Sequence, residues 1–468
     1  MLNIKNIKLN REIRKHIGEF RYAFSVVLTV YNLEKYVSEA IESIIYQTVD
    51  FKKFIQLIIV DDGSADGSEA ICKAYAKQFP KNIKYIRQAN AGVSNARNMG
   101  LRYADGKYVT FFDGDDIWEE DAFEHVWKFF EHNYDKVDMV ACRRKWFEGM
   151  DSYAGNDFRF KKKPARIIDI HKEPACWHVD VTSTFIKNDI AKGNSFKENL
   201  IVGEDSRYIN EILLEKCRYG AVPEAQLNMR KRIDGSSLTQ SVTYSTKAAV
   251  STYTDTLSDY YEYFYDYSKE KFGEVIPYVQ YLIMDAVRYR TAIPIPEGLD
   301  QDIAEEYINR LKALVDRTDL DVLLTLKRGN IPERANLLEF REPEGFFDKI
   351  SARGRDVYYN GTKIGKLSVK TPLKLESIEI EGDEVVIRGT VTLPRFFQNP
   401  KLLVREFEGE DHTVTDLSVN AELSYENILG NYYKTAYNFE ARIPEREGIQ
   451  KFNIHLCTDT EPVALEMN

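Results

Sequence analysis

The spacing of apolar and polar positions changes period repeatedly along the chain, and each change predicts an element. FSVVLTV at 24–30 is a β-branched apolar run of strand length. EKYVSEAIESIIYQ at 34–47 then places Val37, Ala40, Ile41, Ile44 and Ile45 on one helical face. FIQLIIVDD at 54–62 predicts a second buried strand, and GSEAICKAYAKQF at 67–79 a second amphipathic helix. NIKYIRQ, ANAGVSNARNMGLRYA and KYVTFFD continue as strand, helix and strand up to Asp113. Such alternation implies a parallel sheet covered on both faces, with ligands gathering beyond the carboxyl ends of its strands. Three of these strands run into polar clusters: Tyr31-Asn32, DDGSAD at 61–66 and DGDD at 113–116. Their coincidence predicts a site.

Further along, residues 149–170 show no periodicity and predict a mobile loop or hairpin; helical spacing resumes near Glu204, and 230–241 is again loop-like. Between about 246 and 345 tyrosines crowd helical segments, which predicts aromatic helix packing rather than a sugar-binding platform. Beyond about 346 short alternating strands surround an Asn-Gly and a Gly-Asp turn, so an all-β sandwich of immunoglobulin size is expected. The expected organisation is an extension (1–20), an α/β domain (21–245), a helical linker subdomain (246–345) and a β-sandwich (346–468).

Composition narrows the function. The formal charge of −10 argues against a general nucleic-acid binder, which needs surplus Lys and Arg for phosphates. No stretch approaches the ~20 apolar residues of a membrane span. The start, MLNIKNIKLNREIRKHIGEF, is basic without the apolar core of a signal peptide, so a cytoplasmic location is expected. Cys72, Cys142, Cys176, Cys217 and Cys457 are widely spaced and are expected to be reduced thiols.

Asp113, Asp115 and Asp116 then need an explanation, because carboxylates packed at a strand end repel unless a cation holds them. Their oxygens suit Mg²⁺ or Mn²⁺, and Mg²⁺ usually takes one or two carboxylates plus substrate phosphates. Spacing argues against a structural calcium site. DGSADG at 62–67 begins like an EF-hand, but Lys73 stands where a bidentate Glu is required. Neither a P-loop nor a GxGxxG fingerprint is present. A divalent ion joining the aspartates to a nucleotide diphosphate is the economical reading.

SVVLTVYNLEKYVSEAIESI, IIVDDGSADGS, NAGVSNARNMGLRYADGKYVTFFDGDD and the GED at 203–205 resemble, in order, the motifs of family-2 glycosyltransferases. The resemblance runs from about Phe24 to Ser237 and implies an α/β fold of the GT-A type, a Rossmann-like nucleotide-diphospho-sugar transferase. By position it implies that Tyr31 packs on the nucleobase and that Asp62 bonds its imide edge, favouring a UDP-sugar. Arg97 would flank the base or Asp62, Asp113 would face the ribose or donor sugar, and Asp115, with Asp113, would ligate the metal. Asp116 is left between a supporting and a helix-capping role. Glu204 and Asp205 would supply the general base, Asp205 being the usual choice. Arg230, Arg232 and Ser237 fall where relatives place a diphosphate-gripping loop.

Duller readings stand beside these. Tyr31 could cap the core, Asp62 and Asp66 could form turns, the 204–205 pair could favour a helix N-terminus, and both arginines could be surface charges. The resemblance implies one base and no enzyme nucleophile, hence a single displacement with inversion. The QxxRW motif of processive members is absent, so transfer of single sugars is expected. Ser206 stands where many relatives have an aromatic residue.

The overall layout resembles bacterial enzymes that glycosylate teichoic-acid-type polymers. It implies a glycan or polyol-phosphate acceptor, with peripheral membrane association and self-association through the C-terminal module as further expectations. A basic stretch at 349–374, broken only by Asp356, would steer a polyphosphate chain or simply form a solvated sheet face. The rival functions are a nucleotidyltransferase on a similar fold and a carbohydrate-binding or assembly protein with a dead catalytic domain.

Overall fold

The computed structural model describes residues 4–155, 157–161, 164–232, 246–296, 298–367, 373–394, 396–397, 400–408, 411–416, 418–426, 432–445, 451–460 and 462–465. The chain divides into two compact units, Met1–Val279 and Gln280–Asn468. The division falls inside the segment expected to be one helical linker.

In the first unit the apolar runs pair as parallel strands. They are β1 (Tyr22–Val30), β2 (Ile55–Asp61), β3 (Ile83–Arg87) and β4 (Gly106–Asp113), in the spatial order β3-β2-β1-β4. Beyond β4 the sheet turns mixed. It adds β5 (Ile117–Trp118), β6 (Met139–Glu148), β7 (Ser152–Tyr153), β8 (Arg166–Asp169), β9 (Thr184–Lys187) and β10 (Arg218–Lys231), with the path continuing β4-β9-β6-β10-β5. Strand β9 lies antiparallel between β4 and β6, while β6 and β10 run parallel through a bulge at Val222–Gln226. Because β2 and β4 flank β1 on opposite sides, the sheet has its switch point there. Ligands of open α/β sheets sit outside such a point.

The helices of this unit are α1 (Ile4–His16), α2 (Val37–Ile45), α3 (Phe51–Phe54), α4 (Ser68–Gln78), α5 (Val93–Leu101), α6 (Ala122–Asn133), α7 (Asn188–Lys192) and α8 (Glu204–Lys216). Helix α2 buries Val37, Ala40, Ile41 and Ile44, as its spacing predicts, and Ile45 is partly buried. Under the sheet Phe24, Phe123 and Phe185 meet with ring centroids 5.0–5.6 Å apart. Each such burial stabilises the fold by about 1.5–3 kcal/mol before entropy is counted. Helix α5 lies close on β1: a Cβ at Gly100 would stand 2.3 Å from a Val27 methyl.

Three further helical stretches, Thr246–Tyr253, the wider-wound Leu257–Glu262 and Tyr263–Phe272, also belong to this unit. Tyr253, Tyr260, Tyr261 and Tyr265 are buried, which is the aromatic packing expected of them. The unperiodic 149–170 stretch contributes two short strands to the sheet and buries Arg159 completely.

The second unit opens with helices, among them Gln301–Asp316, whose Asp300 side chain caps the amides of Asp302 and Ile303. A three-stranded sheet (Ile350–Arg353, Asp356–Tyr359, Thr362–Lys366) turns at Asn360-Gly361, both left-handed, as a two-residue hairpin requires. Two four-stranded antiparallel sheets follow. The basic stretch is partly neutralised: Lys349 meets Glu342, and Lys363 and Lys366 meet Asp356. Among the described residues no helix is long and apolar enough to cross a membrane.

Candidate active site at the carboxyl rim of the sheet

The loops after β1 and β2 are stapled together by short polar side chains. Asn32, at φ +54°, accepts from the Ala65 amide and donates its own amide to Ser64 Oγ. The Asp66 carboxylate accepts from the amides of Glu34 and Ser68, a turn-forming role; partial burial would raise its pKa, but these bonds outweigh it and hold the pKa below the usual carboxylate range. Asp62 is buried, with one oxygen accepting from Gln88 Nε2 (2.8 Å) and Ala91 N (2.9 Å) and the other from Gly92 N (2.9 Å). It thereby ties the end of β2 to the loop before α5. Tyr31 stands on the same rim and is 48% exposed.

Arg97 projects from α5 into the centre of the rim and is 3% exposed. Its Nη1 donates to Asp205 Oδ1 (2.5 Å) and lies 3.6 Å from Glu204, while Nη2 donates to Asp113 Oδ1 (3.3 Å). Thr29, at the end of β1, donates to the same Asp113 oxygen (3.2 Å). One guanidinium thus joins a strand-end aspartate to an acid pair more than ninety residues away in sequence. These charges raise the Arg97 pKa in spite of its burial.

The turn after β4 forms a second cluster. Arg232 donates through Nε (2.9 Å) and Nη2 (2.5 Å) to Asp115 Oδ2. Burial raises the Asp115 pKa and the Asp113 charge adds to it, with Arg232 opposing. Asp116 is buried and pushed well up by burial, then by Asp115 and Asp113; it accepts from the Arg230 amide (2.9 Å). The Arg230 guanidinium is committed within the protein, to the Asp115 carbonyl, Glu148 and Glu39, and it lies against Tyr36 and Phe147. In this arrangement it braces the aspartate turn from behind. Ser237 lies outside the described residues.

Helix α8 presents Glu204 and Asp205 on its first turn, and Gly203 before it adopts φ +93°. Burial pushes the Glu204 pKa up to about 8, Asp205 adds to this and Arg97 opposes it; Asp205 is also raised by burial, against Arg97. The helix is held by residues to which the sequence reading gave no role at this site. Tyr260 packs on Gly203 and its hydroxyl meets Ser206 Oγ at 2.5 Å, so an aromatic ring from a later helix stands beside the acid pair. Asn210 donates to the carbonyls of Ser206 and His178 and accepts from Tyr278. His178 is buried and held neutral by burial and then by Arg159, which donates to its Nδ1. Scattered singly over a hundred residues, these groups form no motif.

The candidate residues therefore fall into two adjoining groups that share the Asp113–Asp116 turn: Arg97, Asp113, Glu204 and Asp205 in one, Asp115, Arg230 and Arg232 in the other. Asp62 and Tyr31 stand at the neighbouring strand ends. Among the described residues no group of three or more His, Cys, Asp or Glu could by itself hold a metal ion. Asp113 and Asp115 still offer hard oxygens within an excess of negative charge. That donor set suits a divalent ion bringing phosphate oxygens with it, not one caged by protein alone.

A mixed sheet, parallel through β3-β2-β1-β4, with this switch point and an acidic carboxyl rim is the arrangement of a GT-A type domain. Residues 25–188 match the model of glycosyl transferase family 2, and the chain carries a domain of that family. It is similar to two Bacillus subtilis (strain 168) proteins. With the minor teichoic acid biosynthesis protein GgaB it is 35% identical over 376 residues, 79% of this chain and 41% of GgaB. With the minor teichoic acid biosynthesis protein GgaA it is 32% identical over 268 residues, 56% of this chain and 58% of GgaA. The chain thus spans less than two thirds of either. In fold it is similar to S. aureus TarS, at TM-score 0.52 and 15% identity, covering 95% of this chain and 77% of TarS. TarS 1–349 in complex with UDP-GlcNAc matches at TM-score 0.52 and 18% identity, over 72% of this chain and 99% of that one.

Proposed function

We propose that the protein is an inverting, metal-dependent glycosyltransferase. It moves a single hexosyl or N-acetylhexosaminyl unit from a UDP-sugar to a hydroxyl of a teichoic-acid-type polymer or related cell-surface glycan, at the inner face of the membrane. The observation that carries this reading is Arg97, which holds Asp113 of the sheet rim and Asp205 of α8 on one guanidinium. A donor group and an acceptor group of a displacement must lie this close.

Tyr31 and Asp62 supply the wall and edge of the nucleobase position, with Asp62 already oriented by two amides. Asp113 and Asp115 would hold Mn²⁺ or Mg²⁺, which as a Lewis acid stabilises the charge developing on the departing diphosphate. Arg232, which donates to Asp115, would grip that diphosphate when a bound cation held the carboxylate. On the acceptor side Asp205 takes the proton of the attacking hydroxyl, and Arg97 sets the orientation of its carboxylate. With Asp205 as the one base and no covalent step on the enzyme, as the resemblance to family-2 enzymes implies, attack from the opposite face would invert the anomeric carbon. The relatives' teichoic acid names and the UDP-GlcNAc bound to TarS 1–349 support the acceptor and donor classes.

Two variants test this. Asp115→Asn is expected to lower metal-dependent UDP-sugar turnover at least ~100-fold; unaltered turnover would remove Asp115 from the metal. Asp205→Asn is expected to abolish transfer while UDP affinity by calorimetry stays within about threefold. A large loss of affinity would move Asp205 into the donor pocket.

A further inference from the structure

The chain returns to the carboxyl rim once more, immediately before β9. That strand lies between β4 and β6 and runs antiparallel to both, with Phe185 opposite Thr110 and Thr184 opposite Ala141. Continuing the register past Thr110 brings Thr182 level with Asp113, so the approach 177–183 crosses the rim beside the aspartate turn. Strand β6 outruns β9 at the same end, and there Arg144 Nη1 meets Asp180 Oδ1 at 2.5 Å. The two side chains stay 16% and 13% exposed, so solvent reaches the pair.

Each member bears on one of the two groups of site residues. The Asp205 pKa is raised by burial, lowered by Arg97, and raised again by Asp113 and then by Asp180. The Asp116 pKa is raised by burial, Asp115 and Asp113, and lowered by the Arg230 amide and then by Arg144. Asp180 is therefore within electrostatic reach of the acid pair, and Arg144 within reach of the aspartate turn.

Buried polar groups form the mount of this pair. Arg159, wholly buried, donates through Nη1 to His178 Nδ1 (2.6 Å) and places Nη2 3.9 Å from Asp180 Oδ2. With Nδ1 accepting, the His178 proton sits on Nε2 and goes to Thr184 Oγ1 (2.6 Å), which donates in turn to the Asp180 carbonyl (2.5 Å). Asn210 of α8 donates to the His178 carbonyl (2.9 Å), which ties this loop to the helix that carries Asp205. A surface ion pair needs no such scaffold; a carboxylate that must meet a ligand at a fixed angle does.

We infer that Asp180 and Arg144 read ring hydroxyls of the transferred sugar and so set which UDP-sugar is accepted. The inference rests on the glycosyltransferase reading and follows from where the sugar must lie. In a direct displacement the anomeric carbon sits between the departing diphosphate and the attacking hydroxyl. The sugar ring then occupies the space between the metal-side aspartates and Asp205, which is where this pair stands. A carboxylate can accept from a hydroxyl while a guanidinium holds it, and the guanidinium can donate to the neighbouring hydroxyl oxygen. Such a pair distinguishes sugars by the orientation of two adjacent hydroxyls, since the wrong epimer leaves buried polar groups unmet.

Calorimetry on the full chain with Mn²⁺ tests this, using UDP, UDP-glucose, UDP-galactose, UDP-GlcNAc and UDP-GalNAc. Asp180→Asn and Arg144→Gln are each expected to lose at least about tenfold in affinity for the sugar nucleotide that the wild type binds best, with UDP affinity within about twofold. Discrimination among the four sugars should narrow in both variants. If Asp180→Asn does not fold, Arg144→Gln decides. Wild-type affinities and preference in the variants would overturn the assignment. Parallel losses for UDP and UDP-sugar with a lowered melting temperature would also overturn it, marking a structural ion pair. Unchanged donor affinity with slower transfer would move the pair to the acceptor and overturn it equally. A wild type that binds UDP but neither binds nor hydrolyses any of the four sugar nucleotides would sink the proposed function instead.

Discussion

A buried guanidinium is tolerated when its donors are met by charge, and Arg97 has Asp113, Glu204 and Asp205 around it. The same grouping leaves three acids around one guanidinium, and Glu204 and Asp205 keep a proton between them up to a pH where the unfolded chain has lost it. A raised folded-state pKa contributes stability that is complete below the ordinary value of 4.5 and is lost as pH rises towards about 8. In metal-free buffer the melting temperature of wild type is therefore expected to fall between about pH 5 and 8 more steeply than that of Glu204→Gln. Parallel slopes would show that no proton is shared. The group identities at this rim were legible, because each acid lies in a short ordered motif. Their pairing through Arg97, and the commitment of Arg230 to Glu39 and Glu148, were not: side chains far apart in sequence decide them.

At the scale of elements, α8 is aimed by what precedes and covers it. Gly203 at φ +93° leaves a space that Tyr260 fills, and a Cβ there would stand 2.5 Å from the ring. Gly203→Ala is expected to cost about 2–4 kcal/mol, combining a left-handed penalty with overpacking. Chemical denaturation measures it, and a loss below about 1 kcal/mol would mean that the helix start shifts freely. Tyr260→Phe removes the hydroxyl bond to Ser206 while keeping the ring, and should cost about 1 kcal/mol. Strands β1, β2 and β4 are where the apolar runs placed them, since both faces of a central parallel strand are buried and the runs are continuous; β3, at the sheet edge, is partly exposed. Strands β9 and β10 escaped notice. TFIK is short, and RYGAVPEAQLNMRK alternates only over Ala225–Met229, its first half being interrupted by a Gly, a Pro and a bulge.

For the whole molecule the decisive feature is the division into two compact units. Unfolding is then expected in more than one calorimetric transition, and a nucleotide bound at the sheet rim stabilises only the unit that holds it. At a hundredfold excess over Kd, UDP with Mn²⁺ should add about 2.7 kcal/mol to one transition and leave the other in place. A single transition shifting as a whole would show that the units unfold as one.

Sequence by itself determined the alternating strands and helices, the three polar strand ends and the Asn-Gly hairpin, because each depends on residues within one turn or one strand of each other. It also carried the resemblance that the family match bears out. Tertiary structure alone decided which carboxylates share a guanidinium, which arginine braces and which faces Asp115, and that a tyrosine from a later helix backs Gly203. Those choices rest on burial and on charges meeting across the folded chain, and one-dimensional spacing holds no record of either.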